Sequence, residues 1–471
     1  MLKSKKFISF LLVVLVTTSL MFAGAPGASA ATNQFKGVNW ADQRDNFQTG
    51  VIYVSGLSAS DTYSTASTVA DRVISQFMSL LGSNSVRMPI NETTVSSYWG
   101  TYTGAIDKAL SKGKVILCYW APSNGKPADM TAFWNMWTTV VNKYGSNTNC
   151  YFEIINEPYG YSATDLCNLY NSWITRYTSV PQGRVILDGE GYAQSLSAVG
   201  GDSRLKNCLL AVHDYSFFVS NPYTTESAWQ NHISGFVGSY ADRTICTEWG
   251  GPMSPGSKNG VSYGTQNYNN TSGTFFVSYL RGISNQLRGW NMGSFYWPGL
   301  RDGDWYSMTT KSGSGSGITL TLPNASGLER LKYSWGEKFI KIRNAATNLC
   351  IDGAGLTADG SAAKQYASGG SNNQQWVIEG AGTYVKIKNR ATGLYLDGAG
   401  STTNGSVVKQ YAASSSNNQQ WLQEHTGNNV KFKNRATGLY LDGMGRTTDG
   451  SELAQYSGSS STNQQWQILV P

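Results

Sequence analysis

Between residues 35 and 299 the chain alternates short, unbroken apolar runs with longer stretches whose apolar residues recur three and four apart. The runs fall at 35–40, 85–89, 114–119, 151–156, 184–188, 209–214, 245–249 and 294–297. Runs this short and continuous predict strands buried on both faces, as in a parallel sheet. The intervening patterns at 69–81, 130–144 and 165–177 predict helices with one apolar stripe. Eight strand-then-helix units in this order predict a (β/α)8 TIM barrel. An open doubly wound sheet competes, but no Gly-rich phosphate turn follows the first strand.

The last third changes pattern. Ile351-Asp352-Gly353 recurs as Leu396-Asp397-Gly398 and Leu441-Asp442-Gly443, and Gln374-Gln375-Trp376 as Gln419-Gln420-Trp421 and Gln464-Gln465-Trp466. Each copy opens on an alternating strand pattern, and Gly, Ser and Asn turns separate further short strands, an all-β signal. Three copies and no more predict a closed threefold object. The Gly/Ser tract at 312–317 looks like a linker, but the strand pattern at 318–322 and helix pattern at 328–335 predict instead a segment completing the barrel. The domains are therefore placed at 31–337 and 338–471.

Composition narrows the function. The 471 residues are 40% hydrophobic and 14% charged, which excludes a disordered chain. Lys3, Lys5 and Lys6, an apolar stretch to residue 22 and the small residues Ala28-Ser29-Ala30 read as a signal peptide over 1–30. The expected mature chain starts near Ala31, is secreted, has no later membrane span and is a monomer. Its remaining charge is thinly spread, without a basic run, so nucleic acid is not an expected partner. The six cysteines could pair outside the cell or stay as buried thiols, and spacing alone does not choose. Three histidines and no HExxH leave a zinc centre without ligands, and neither a metal nor a cofactor is expected. Asp302 and Asp304 could hold calcium, though local hydrogen bonding in a Gly-rich loop explains them as well.

Barrel chemistry sits at the C-terminal ends of strands. Those ends carry Trp40, Arg87, Trp120, Asn156, Glu157, His213, Tyr215, Glu248 and Trp297. Two carboxylates, Glu157 and Glu248, close the fourth and seventh strands, and retaining glycoside hydrolysis needs such a pair. Glu153-Ile154-Ile155-Asn156-Glu157-Pro158 resembles the acid/base motif of glycoside hydrolase family 5, and Thr247-Glu248-Trp249-Gly250 resembles its nucleophile strand. Arg87, His213, Tyr215 and Trp297 match further positions of that family in order. The resemblance, over residues 31–336, implies Glu157 as acid/base and Glu248 as nucleophile. It also implies sugar binding or tuning by Arg87, Asn156, His213, Tyr215 and Trp297, and the reading adds Trp40 and Trp120. The family's histidine near strand three is replaced here by Cys118-Tyr119-Trp120, which widens the range of substrates.

Residues 338–471 resemble the ricin-B-type β-trefoil, carbohydrate-binding module family 13. That resemblance implies three sugar sites: Asp352, Tyr366, Asn373 and Gln374; Asp397, Tyr411, Asn418 and Gln419; Asp442, Tyr456, Asn463 and Gln464. Cys350 departs from the repeat, standing where the other copies have Tyr395 and Tyr440. The Trp of each Gln-Gln-Trp is read as core. The combined expectation is a secreted retaining β-glycosidase acting on a cell-wall polysaccharide. Endo-β-1,4-glucanase is the first choice, then mannanase, xylanase or another β-glycanase or exo-glycosidase. A non-catalytic lectin is the alternative from another class.

Overall fold

In a computed structural model, residues 32–469 are described except Asn269, Thr271, Lys338, Gly427 and Asn428. The leader at 1–30, the cleavage point at Ala31 and the boundary residue Lys338 lie outside the described residues. Among those described, no helix is long and apolar enough to cross a membrane.

Eight parallel strands close the barrel: β1 (Lys36–Trp40), β2 (Ser85–Ile90), β3 (Lys114–Tyr119), β4 (Cys150–Glu153), β5 (Val185–Asp188), β6 (Leu209–Asp214), β7 (Thr244–Trp249) and β8 (Ser294–Leu300). Neighbours in sequence are neighbours in space, and β1 pairs with β8. Nearly every strand residue is buried, which explains the continuous rather than alternating apolar runs. The expected helices at 130–144 and 165–177 appear as Met130–Tyr144 and Ala163–Arg176, with Asp129 and Ser162 capping their N-termini. The pattern at 69–81 is divided. The helix Tyr63–Gln76 starts earlier, and Phe77–Leu81 forms a wider turn ended by Gly82 in the left-handed region.

The Gly/Ser tract is no linker. It forms the tip of a hairpin, Thr310–Ser312 with Thr319–Thr321, whose Ile318 is buried. The helix Ala325–Ser334 follows, and its buried Arg330 bonds Ser284 Oγ and Asn285 Oδ1 on the helix Phe275–Gly289. Asp302 and Asp304 are held by Lys311 and Arg301, so local ion pairs account for both. All six cysteines are buried and free.

The second unit has a separate core, built from Trp376, Trp421 and Trp466 with Ile342, Ile351, Ile387, Leu396, Phe432 and Leu441. Each tryptophan pairs with the strand that opens a repeat: Ile340 with Trp376, Val385 with Trp421, Val430 with Trp466. The first opening strand, Lys341–Asn344, also pairs with the last, Trp466–Leu469, which closes the ring. The indoles are fully buried and donate to the carbonyls of Ile351, Leu396 and Leu441. The core reading of these tryptophans holds, and the architecture is a TIM barrel followed by a β-trefoil.

Candidate active site

The strand ends are irregular where the site forms. Pairing between β6 and β7 shifts register between Val212 and His213, which sets His213 opposite Glu248. β8 also shifts against β7 and β1. Such irregularities re-aim side chains at barrel rims. β4 stops at Glu153, three residues short of the expected strand, because the chain turns there. Asn156 N still donates to Tyr119 O, but Glu157 has φ 48 and its N–H donates to Asp188 Oδ2 at 2.9 Å. Left-handed backbone at a non-glycine residue is costly and tends to persist at functional sites.

Glu157 and Glu248 meet across His213. The imidazole Nδ1 is 3.0 Å from Glu157 Oε1 and 3.6 Å from Glu248 Oε2, and carboxylate oxygens of the two glutamates lie within 4.8 Å of each other. His213 Nε2 pairs with Thr247 Oγ1 at 3.0 Å. Arg87 donates to Glu248 Oε1 at 2.5 Å, and the Tyr215 hydroxyl donates to Glu248 Oε2 at 2.7 Å. Arg87 also grips Glu153 through two nitrogens and reaches Asn39 and Asn156. Asn156 is fully buried, yet its Nδ2 has no hydrogen-bond partner among the described residues. A buried amide left unpaired is unfavourable unless a ligand completes it.

Burial raises the Glu157 carboxyl above the ordinary range and the charge of Glu248 raises it further, while the hydrogen bond from His213 pulls it partly back. Behind it, burial and then Glu153 hold Asp188 well above the usual range. For Glu153, burial opposes the charge of Arg87, and Arg87 prevails, leaving the group ionised. The site thus sets a carboxyl that holds its proton more tightly than usual beside an arginine-paired carboxylate, both lining one cavity.

That cavity, of about 410 Å³, is lined by Asn46, Phe47, Glu157, Tyr215, Phe217, Phe218, Glu248, Trp297, Trp305 and Tyr306, among others. Trp297 faces it as expected. Trp40 and Trp120 do not. Trp40 is fully buried with its indole N–H given to Ser55 O, and Trp120 is 1% exposed, packed behind Trp297 at 6.0 Å between rings. Both belong to the core rather than to a sugar-binding surface. Sequence reasoning missed Asn46, which donates to Glu157 Oε2 at 2.8 Å from the loop after β1. It also missed Lys258, which is buried on a hairpin after β7 and bonds Ser216 O and Val219 O, bracing the loop of Phe217 and Phe218.

In the trefoil the expected residues cluster repeat by repeat. Asp352, Asp397 and Asp442 each accept a backbone N–H two residues on, and Tyr366, Tyr411 and Tyr456 keep exposed surface. Asn373, Asn418 and Asn463 are half-buried beside Gly355, Gly400 and Gly445. The glutamines differ from expectation. Gln374, Gln419 and Gln464 are at most 3% exposed, with Nε2 given to the carbonyls of Ala367, Ala412 and Ser457. Their Oε1 atoms accept from Gly369, Ser414 and Ser459. Both amide ends brace the loop, and in the third repeat Nε2 also donates to Asp442 Oδ2 at 3.0 Å, so the glutamine supports the aspartate. Each site is completed from another repeat: Asp449 binds Ala367 N, Asp359 binds Ala412 N and Asn404 binds Ser457 N.

A closed (β/α)8 barrel with two facing glutamates at its mouth, followed by a β-trefoil, defines a glycoside hydrolase carrying a carbohydrate-binding module. The model of the cellulase family, glycosyl hydrolase family 5, matches residues 47–295, and the chain belongs to that family. A ricin-type beta-trefoil lectin domain-like model matches residues 330–411 and 417–471. Among solved structures, the chain is similar to the designed 3-fold symmetric protein ThreeFoil, at 34% identity over 29% of this chain and 100% of that one, TM-score 0.28. It is also similar to a mosquitocidal holotoxin, at 30% identity over 28% of this chain and 17% of that one, TM-score 0.27. A third is 1,3Gal43A, an exo-beta-1,3-galactanase from Clostridium thermocellum, at 26% identity over 34% of this chain and 33% of that one, TM-score 0.28. No curated protein matches significantly.

Proposed function

We propose that the protein is a secreted retaining β-glycosidase that cleaves a β-linked cell-wall polysaccharide, with β-1,4-glucan the first substrate to test. The separation of the two carboxylates carries this reading. Oxygens within 4.8 Å leave no room for the water that an inverting enzyme places between its carboxyls. Glu157, raised by burial, protonates the leaving-group oxygen and then activates water. Glu248, held by Arg87 and Tyr215, attacks the anomeric carbon and forms the glycosyl-enzyme. The unpaired Nδ2 of Asn156 is suited to the sugar 2-OH, a contact that strengthens as the ring flattens. Trp297 lies under the reacting ring. The trefoil holds the enzyme on its polymer and raises the local concentration of cleavable bonds.

The test is hydrolysis of a panel of glucan, mannan, xylan and β-1,3-glucan, with products chromatographed. Release by the wild type, lost in Glu157→Gln and Glu248→Ala, supports the assignment, and the product ladder gives linkage. Equal release by both variants would remove these glutamates from the chemistry. Export is tested separately by sequencing the N-terminus of the protein recovered outside the cell.

A further inference from the structure

The end of β6 carries two of the groups that surround the glutamates, and the residue between them has no part in the chemistry derived so far. His213 and Tyr215 turn into the mouth, toward Glu157 and Glu248. Asp214 turns the other way, as alternation along a strand requires. It is wholly buried, and its Oδ2 accepts from Nδ1 of His232, on the helix Glu226–Val237, at 3.0 Å. Its backbone carbonyl accepts from the Tyr279 hydroxyl on the helix Phe275–Gly289.

The far end of this link is itself fixed. The His232 ring sits among Tyr223, Trp229 and Phe236, with centroids at 5.4, 5.5 and 4.5 Å. Its helix is tied to the neighbouring one through Glu226, which accepts from Arg281 and Asn285. Among the described residues neither Asp214 nor His232 makes another ion pair. The other ionisable groups facing the pair are Tyr279, Cys246 on β7 and Tyr223. Burial pushes Tyr279 and Cys246 well above their ordinary ranges, so both stay neutral.

The link falls where the ladder gives way. The register of β6 against β7 shifts between Val212 and His213, directly before the side chains that need orienting. A shifted ladder does not by itself fix which way those side chains point. A buried carboxylate and imidazole are also poor stabilisers, since apolar residues of like volume would hold a core at least as well. What an apolar pair lacks is direction. We infer that Asp214 is a positioning residue: held by His232, it locks the outer side of β6 and so sets the angle at which His213 meets Glu157 and Tyr215 meets Glu248. His213 Nδ1 has a carboxylate at 3.0 Å and another at 3.6 Å, so a small turn of the strand end changes which one it favours. This rests on the reading of Glu157 as proton donor.

The test uses His232→Phe, which keeps a ring among the aromatic neighbours but removes the donor, and His232→Gln, whose amide can donate to Asp214 again. Each is made alone and together with His213→Ala. Two readouts are followed across pH: kcat on cellohexaose, and the Glu157 carboxyl by carbon NMR of glutamate-labelled protein, assigned by its loss in Glu157→Gln. The second needs no turnover. With the link cut, the bond from His213 to Glu157 weakens, so the Glu157 titration and the alkaline limb of kcat both move to higher pH. The fall in kcat is about tenfold, short of the ~10²-fold that a misplacement of about 1 Å can cause. His232→Gln restores both readouts. In the His213→Ala background the titration no longer responds to His232→Phe, because the bond it acts through is gone. Asp214→Asn, which keeps an acceptor but loses the charge, shifts the titration less in the same direction and serves if His232→Phe does not fold. A titration unchanged by cutting the link, or shifted equally with and without His213, overturns the positioning role and leaves the glycosidase standing. A wild type that does not hydrolyse cellohexaose overturns the β-1,4-glucanase reading, while the titration still decides the role of Asp214.

Discussion

The barrel and the trefoil reach a binding surface by opposite routes. In the barrel every strand end differs, and the site arises because Arg87, Asn156, Glu157, His213 and Glu248 are brought to one point from β2, β4, β6 and β7. None of them has a duplicate. In the trefoil one arrangement is written three times at a step of 45 residues, and each copy borrows a polar residue from another. The repeats diverge at one position. Tyr395 and Tyr440 bond Glu379 and Glu424 and lie beside lysines, whereas Cys350 is fully buried. Singular sites concentrate function and fragility, and repeated ones distribute both.

The sharpest break is in the singular pair. Glu248→Ala should lower hydrolysis at least about 10⁴-fold and Glu157→Gln about 10²–10⁴-fold, with sugar binding by the trefoil intact in pull-down on polysaccharide. Loss of binding in parallel would mean that the two units are not independent.

Ion pairs extend the contrast to stability. Arg87→Met leaves Glu153 buried without its cation and should cost about 3–5 kcal/mol in urea unfolding. The trefoil's Lys364–Glu452 pair, at 3.2 Å and partly exposed, should lose under about 1 kcal/mol in Lys364→Ala. Equal losses would erase the distinction.

The pH profile probes the barrel alone. With Glu157 as the proposed proton donor, its protonated form is the working one, and activity should fall as pH rises through its raised pKa. His213 lowers that pKa by its hydrogen bond, so His213→Ala should reduce kcat and move the alkaline limb to higher pH. A limb displaced to lower pH would contradict this.

The smallest effect belongs to the repeats. Asp397→Ala should remove one sugar site by calorimetric stoichiometry, leaving the others and the hydrolysis of soluble oligosaccharides untouched. Loss of all binding would show that one site does the work of three.

What could be read in advance follows the same division. The repeat fixed the trefoil's register because identical spacing recurs, and the buried strands of the barrel were visible because burial on both faces leaves an unbroken apolar run. Strand ends pointed to two glutamates that the structure brings together, but position along a strand does not say which way a side chain points, hence Trp40 and Trp120. Asn46 was invisible for another reason: its partner is 111 residues away, across a loop with no local pattern. The bracing role of the glutamines was hidden because an amide that binds sugars and one that braces a turn leave the same letter in the sequence.

The arginine at the floor of the mouth has one further consequence. Arg87 is set against the carboxylates of Glu153 and Glu248 at once, from a position almost wholly closed to solvent. Two anions share one cation, so the guanidinium cannot offset both. In the proposed mechanism the sugar ring gains positive character beside that local excess of negative charge, and the field that meets it is in place before the ring arrives.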